Sequence, residues 1–119
     1  MKDKENIIEE YKDYAALHWT ASREGDYKTA NKNYAKLTKI FKILSNSQKL
    51  QEETMPRLLN DNDFCVQVWA AAHCLSLGVY QTEAIFILEN VSEMSASEAP
   101  SFEAKMTLKA WKEQGKLTF

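Results

Sequence analysis

The chain has 119 residues, 45% of them hydrophobic and 27% charged, with a formal net charge of −2. That length suits one domain burying roughly two-thirds of the surface its unfolded form exposes, so no partner is required for folding. Two prolines and three glycines leave little turn chemistry, and Ala, Leu, Lys and Glu are abundant, which excludes a sheet-rich fold and favours an all-α class.

The first helix is expected from Lys4 to Arg23, where Ile7, Tyr11, Tyr14, His18 and Ala21 recur at steps of four, three, four and three and mark one core face. Gly25 ends it, and Asp26 stands where an N-cap would accept from the free amides of a second helix. Tyr27, Ala30, Tyr34, Leu37, Phe41 and Leu44 are expected to point inward from that second helix. Lys28, Lys32, Lys36 and Lys39 fall within about 80° of one another on another face. Ser45-Asn46-Ser47 stops it. A third helix, from Lys49 to Leu59, offers Leu50, Met55, Leu58 and Leu59 to a core, but Pro56 suits only a first turn or a kink, which leaves room for two short pieces.

The polar turn Asn60-Asp61-Asn62-Asp63 then delivers the chain into the stretch that organises it, Val66 to Leu77, closed by Gly78. This stretch has no charge and is apolar almost all round, with Val66, Ala70, His73, Cys74 and Leu77 on one stripe and Val68, Ala71, Ala72 and Leu75 on another. A surface helix needs only one such stripe, so this one has to be covered on several sides. A fifth helix is expected from Gln81 to Met94, with Ala84, Ile85, Leu88 and Val91 inward. The polar run from Ser95 to Ser101, with Pro100 inside it, is the longest expected loop. The last helix, from Phe102 to Gln114, uses Ala104, Leu108 and Trp111, and Gly115 ends it. The elements form six helices in three antiparallel pairs with periods of about 30 to 40 residues, the range of stacked helical repeats.

Leu58-Leu59, then Asn60 to Asp63, then Val66-x-x-x-Ala70-Ala71 is similar to the turn and second helix of a HEAT repeat, although Gln67 stands where such helices carry an Arg. Three segments read together extend the likeness over nearly the whole chain: Gly25 to Lys32, Trp69 to His73, and Ala104 to Trp111. With them the chain resembles a family of short bacterial HEAT-like proteins whose domain is of unknown function. The resemblance implies an α-α superhelix of HEAT/ARM type as a single domain over residues 1–119. It also implies no established enzyme activity, no catalytic residues to carry over, and a suspected place among immunity proteins that neutralise toxins of competing bacteria.

Neither a cofactor nor a metal is expected. His73 and Cys74 are neighbours on one helix, pointing about 100° apart, with no second ligand at a suitable spacing, so His73 reads as a partly buried, hydrogen-bonded core histidine. His18 reads the same way. Cys65 and Cys74 lie about 13.5 Å apart along the helix axis and on opposite faces, too far for a disulfide, and read as two buried thiols of a reducing compartment. The charged start, Met1 to Asn6, shows no signal-peptide pattern, and no apolar run approaches the roughly 18 residues of a membrane span. A cytoplasmic protein with no membrane contact is expected. Trp19, Trp69 and Trp111 read as core in a domain this small.

Charge gives the strongest functional signal. From Tyr27 to Gln51 there are six lysines and no acid, while from Leu58 to Ala104 there is no Lys or Arg against seven acids. The lysine run is the best case for nucleic acid, but the negative net charge and the lack of Arg in that run argue for a solvated face. The acidic half is expected to receive another protein, such as a basic toxin domain with nuclease activity, at Asp61, Asp63, Glu83, Glu89 and Glu93. A protein-binding module of this immunity type ranks first, a scaffold or adaptor subunit second, and a DNA-binding HEAT-like protein last. No small-molecule substrate is expected.

Overall fold

A computed structural model describes residues 3–117 and 119. The chain is all-helical: α1 (Lys4–Arg23), α2 (Tyr27–Ser45), α3 (Gln48–Leu59), α4 (Phe64–Leu77), α5 (Gln81–Ser92) and α6 (Ser101–Gln114), with no strand among the described residues. None of these helices is long and apolar enough to cross a membrane. The contacts cluster into two compact units, residues 1–58 and 59–119.

In the first unit, Asp3 caps α1 by accepting from the Asn6 amide at 2.9 Å. At the other end Gly25 takes a left-handed φ of 75°, while the Asp26 amide reaches back to the Ala21 carbonyl at 2.9 Å and the Gly25 amide to Ser22 at 3.3 Å. These bonds satisfy two otherwise orphaned carbonyls and reverse the chain within three residues, so α2 packs extensively on α1. Asp26 caps α2 through the Thr29 amide at 3.1 Å, as expected, and that bond holds its carboxyl below the usual range.

The inward face of α2 is displaced from the expected one. Leu37, Phe41 and Leu44 are buried together with Asn33 and Ile40, whereas Tyr27 and Tyr34 are 72% and 41% exposed. Seven residues apart, the two tyrosines share one line of the helix at the edge of the apolar arc. The packing against α1 covers the centre of that arc and leaves its edge open. Asn33 fits the interior because its side-chain amide donates to the Thr29 carbonyl at 3.0 Å.

Helix α3 opens on Ser47, whose hydroxyl accepts from the Leu50 amide at 3.2 Å, and Gln51 ties it to the end of α2 by donating to the Leu44 carbonyl at 2.8 Å. It is one helix, not two pieces. Pro56 lies in its interior, where the lost amide leaves the carbonyl of exposed Glu52 to water, so the defect stays on the solvent side. Met55 and Leu58 are fully buried. On the exposed side Arg57 binds both carboxylate oxygens of Glu5, at 2.7 and 3.2 Å, lowering the Glu5 pKa through that hydrogen bond.

In the second unit, α4 starts two residues earlier than its apolar pattern because Asp63 accepts from the Cys65 amide at 2.8 Å. It ends at Gly78, φ 76°, with the Val79 amide on the Cys74 carbonyl at 3.0 Å. Nine of its fourteen residues are buried, and α5 and α6 both pack on it. Helix α5 ends at Ser92, before the expected Met94, and points Ala84, Leu88 and Val91 into the core. Ser101 is the first residue of α6 and not part of the loop, with Pro100 at the N-cap. Past Gly115 the tail turns back onto α4: the Ser76 hydroxyl donates to the Leu117 carbonyl at 2.8 Å, and the Phe119 ring meets His73 edge-on at 4.7 Å.

Two substitutions check this account. Ala71 is fully buried, so Ala71→Asp should cost roughly 3–5 kcal/mol or prevent folding, since it places a charge where no partner can reach; a near-wild-type thermal melt would show that the core is misplaced. At Gly78 an added Cβ would meet only the end of the Gln81 side chain at 3.8 Å, so Gly78→Ala should cost only the left-handed strain, about 1–2 kcal/mol in urea titration.

Candidate functional site

The 60–63 turn and α5 enclose a cleft of about 650 Å³ within the second unit, a size within the range of ligand-binding pockets. The turn is held rigid by its own bonds. The Asp61 carboxylate accepts from the Asp63 amide at 2.8 Å, the Asp63 carboxylate from Cys65, and the Gln67 side chain donates to the Asp61 carbonyl. Gln67 thus fastens the turn to α4. Glu83, Ile87 and Asn90 on α5, with Met94 just past its end, recur at steps of four, three and four and line the cleft, beside the Ala84-Leu88-Val91 stripe that enters the core. Leu59, Phe64 and Val91 complete the apolar lining, and Phe86, 63% exposed, stands on it as well.

Of the five acidic residues singled out in the sequence, two come together here: Asp61 and Glu83 both line the cleft. Asp63 does not, because its carboxylate is used as the α4 cap. Glu89 and Glu93 are exposed and lie outside the lining. At about 100° per residue they fall on the solvent side of α5, beyond Phe86. The residues that sequence reasoning missed are Phe64 and Phe86. The signal was available for Phe86, which sits off the inward stripe of its helix, whereas Phe64 lies in the first turn that the apolar pattern alone does not assign to α4.

His73 is fully buried, more than expected, against Trp69 and Phe119 at ring distances of 5.6 and 4.7 Å. Burial pushes its pKa down to about 3. Cys65 and Cys74 are buried and not joined in a disulfide, and both thiols are pushed up to about 12, first by desolvation and then by nearby carboxylates. Trp19, Trp69 and Trp111 are half-buried; Trp19 carries the Arg23 guanidinium 5.2 Å from its ring centre. Among the described residues, no group of three or more His, Cys, Asp or Glu side chains could hold a metal ion. In the first unit Lys28, Lys32, Lys36 and Lys39 are all exposed on α2, with the Lys36 ammonium 5.1 Å from the Tyr14 ring centre. Comparison with protein-family models, with curated proteins and with solved structures finds no match to this chain.

The arrangement is suited to binding. A concave surface bordered by carboxylates, in a stretch of chain with no Lys or Arg, combines a negative local potential with apolar area.

Two measurements test the buried groups. Below pH of about 6.5 the unfolded chain protonates His73 while the folded chain does not until about pH 3, so folding stability contributed by this group is lost as pH falls through that window, by up to about 1.4 kcal/mol per pH unit. His73→Leu should remove that share of the acid slope in urea titrations; an unchanged slope would show that His73 is not held neutral. The two thiols should react with Ellman's reagent near neutral pH only as fast as the chain unfolds, and rapid labelling of the native protein would contradict their burial.

Proposed function

We propose that this chain is a protein-binding module whose acidic half receives a basic partner protein, and that it acts as an immunity protein neutralising a cognate toxin such as a nuclease. One observation carries the reading: an aromatic-edged cleft bordered by Asp61 and Glu83 lies in a stretch from Leu58 to Ala104 that contains seven acids and no Lys or Arg. The resemblance to short bacterial HEAT-like proteins supports the toxin as partner, and it supports stacking of the helix hairpins as an α-α superhelix, which presents extended surfaces to other proteins. Glu89 and Glu93, exposed on the far side of Phe86, add to the field that steers a cation toward the cleft. Two buried cysteines that form no disulfide are in keeping with a reducing cytoplasm.

Affinity capture from the native host should retain a protein rich in Lys and Arg, and co-expression with this chain should restore growth to cells making it. Association should slow as salt rises, and charge reversal of Glu89 and Glu93 together should lower the on-rate by about tenfold with the thermal melt unchanged. A retained partner whose toxicity the chain does not relieve would leave an adaptor, and a partner insensitive both to salt and to those reversals would place docking off the acidic half.

A further inference from the structure

The cleft has more definition than an acidic field requires. Its floor is apolar, with Leu59 and Val91 buried and Ile87 and Met94 half-buried, while Phe86 projects beside it. A surface that worked by charge alone would gain nothing from an aromatic ring held 63% in water; paired with a concave apolar floor, the ring supplies area that only a partner can cover. The cleft is bounded by the end of α3, the 60–63 turn, the start of α4 and one face of α5, and its volume of about 650 Å³ suits one or two side chains of a peptide, not a broad docking face.

Resting on the reading of this half as the site for a basic protein, we infer that the cleft seats one apolar side chain of a lysine- or arginine-rich segment of the partner, with a flanking cation of that segment meeting Glu83. Charge complementarity fixes the flanking residues: Glu83 is exposed at the first turn of α5, and no cation of the 58–104 stretch competes for it. The floor selects the anchor, since Leu59, Ile87, Val91 and Met94 offer area that an apolar side chain removes from water, whereas a charged head would give up hydration to lie among them. The 60–63 turn is already braced by its own hydrogen bonds, so little ordering is left to oppose binding.

The probe is a short synthetic peptide with a Leu-Trp pair flanked on both sides by lysines, titrated into the isotopically labelled full chain and followed by amide NMR shifts. Two control peptides replace the lysines by glutamates or the Leu-Trp pair by serines. The lysine peptide should shift Phe64, Gln67, Ile87 and Asn90, and should bind at least about tenfold more tightly than either control. Phe86→Ala, at an exposed position, should leave the melt unchanged and weaken the peptide by about tenfold, mainly through faster release. Glu83→Gln should weaken it less and reduce its salt dependence, whereas Glu98→Gln, outside the cleft, should have no effect.

Shifts spread over the whole acidic surface, equal binding by the serine peptide, or no binding at all would overturn the inference. So would concentration-dependent shifts of the cleft without peptide, which would assign it to a second copy of the chain. The two readings fail separately. A cognate toxin that binds normally to the Phe86→Ala protein removes the anchor pocket and leaves the immunity reading standing; peptide binding in the cleft with no neutralised toxin does the reverse.

Discussion

Helix α4 has no polar face to turn toward water, and the architecture of the second unit follows from covering it. Nine of its fourteen residues are buried, and a helix of this kind is stable only if its neighbours close over several sides. Helices α5 and α6 supply much of that cover. Small side chains at Ala70, Ala71 and Ala72 let neighbours approach closely. The tail supplies a further piece, because the Ser76–Leu117 hydrogen bond and the Phe119 ring on His73 place residues beyond the last helix on the same core. A histidine can be kept neutral in such a place because aromatic rings, rather than water, surround it.

That demand sets the register of α5. Once Ala84, Leu88 and Val91 face the core, the helical period leaves Glu83, Ile87 and Asn90 facing the 60–63 turn and turns Glu89 and Glu93 to solvent. The turn has its own constraint. Its two aspartates are partly consumed in starting α4, one as the cap and the other as the acceptor that shapes the approach to it. Acidic residues in this half therefore serve two ends that the sequence does not separate, helix initiation at Asp61 and Asp63 and surface potential at Glu83, Glu89 and Glu93.

Most helix limits were legible because each rests on one local interaction. Asp26 and its Thr29 partner, Gly25 and Gly78 at left-handed φ, and the Gly115 stop all lie where sequence rules put them. The all-α class was legible from composition for the same reason: local preferences agree along the chain. What a helical period cannot supply is the width of the cover over an apolar arc. Tyr27 and Tyr34 therefore looked inward although they stand at an open edge, and the burial of Asn33, whose amide donates to its own helix, was not foreseen. Pro56 misled through a rule that ignores side; a broken backbone bond is cheap where the orphaned carbonyl can reach water. The candidate site was legible as charge and not as shape. Of the five acids, Asp61 and Glu83 meet at the cleft, but that meeting depends on packing between segments some twenty residues apart, which no single helical pattern encodes.

Phe86 separates what folding asks of this unit from what binding would ask. Ala84, Leu88 and Val91 are buried and satisfy the core, whereas the ring at position 86 stays 63% exposed, so folding uses only part of its apolar area. The same ring beside a concave apolar floor is a different matter, because covering it there would remove ring and floor from water together. Folding accounts for the direction in which Phe86 points, through the register imposed by α4, and leaves most of the ring in water beside the cleft. Taken with a surrounding stretch stripped of cations, that exposed ring links the charge pattern read from the sequence to the shape found in the structure, and a basic segment with one apolar anchor is the kind of partner that would use both.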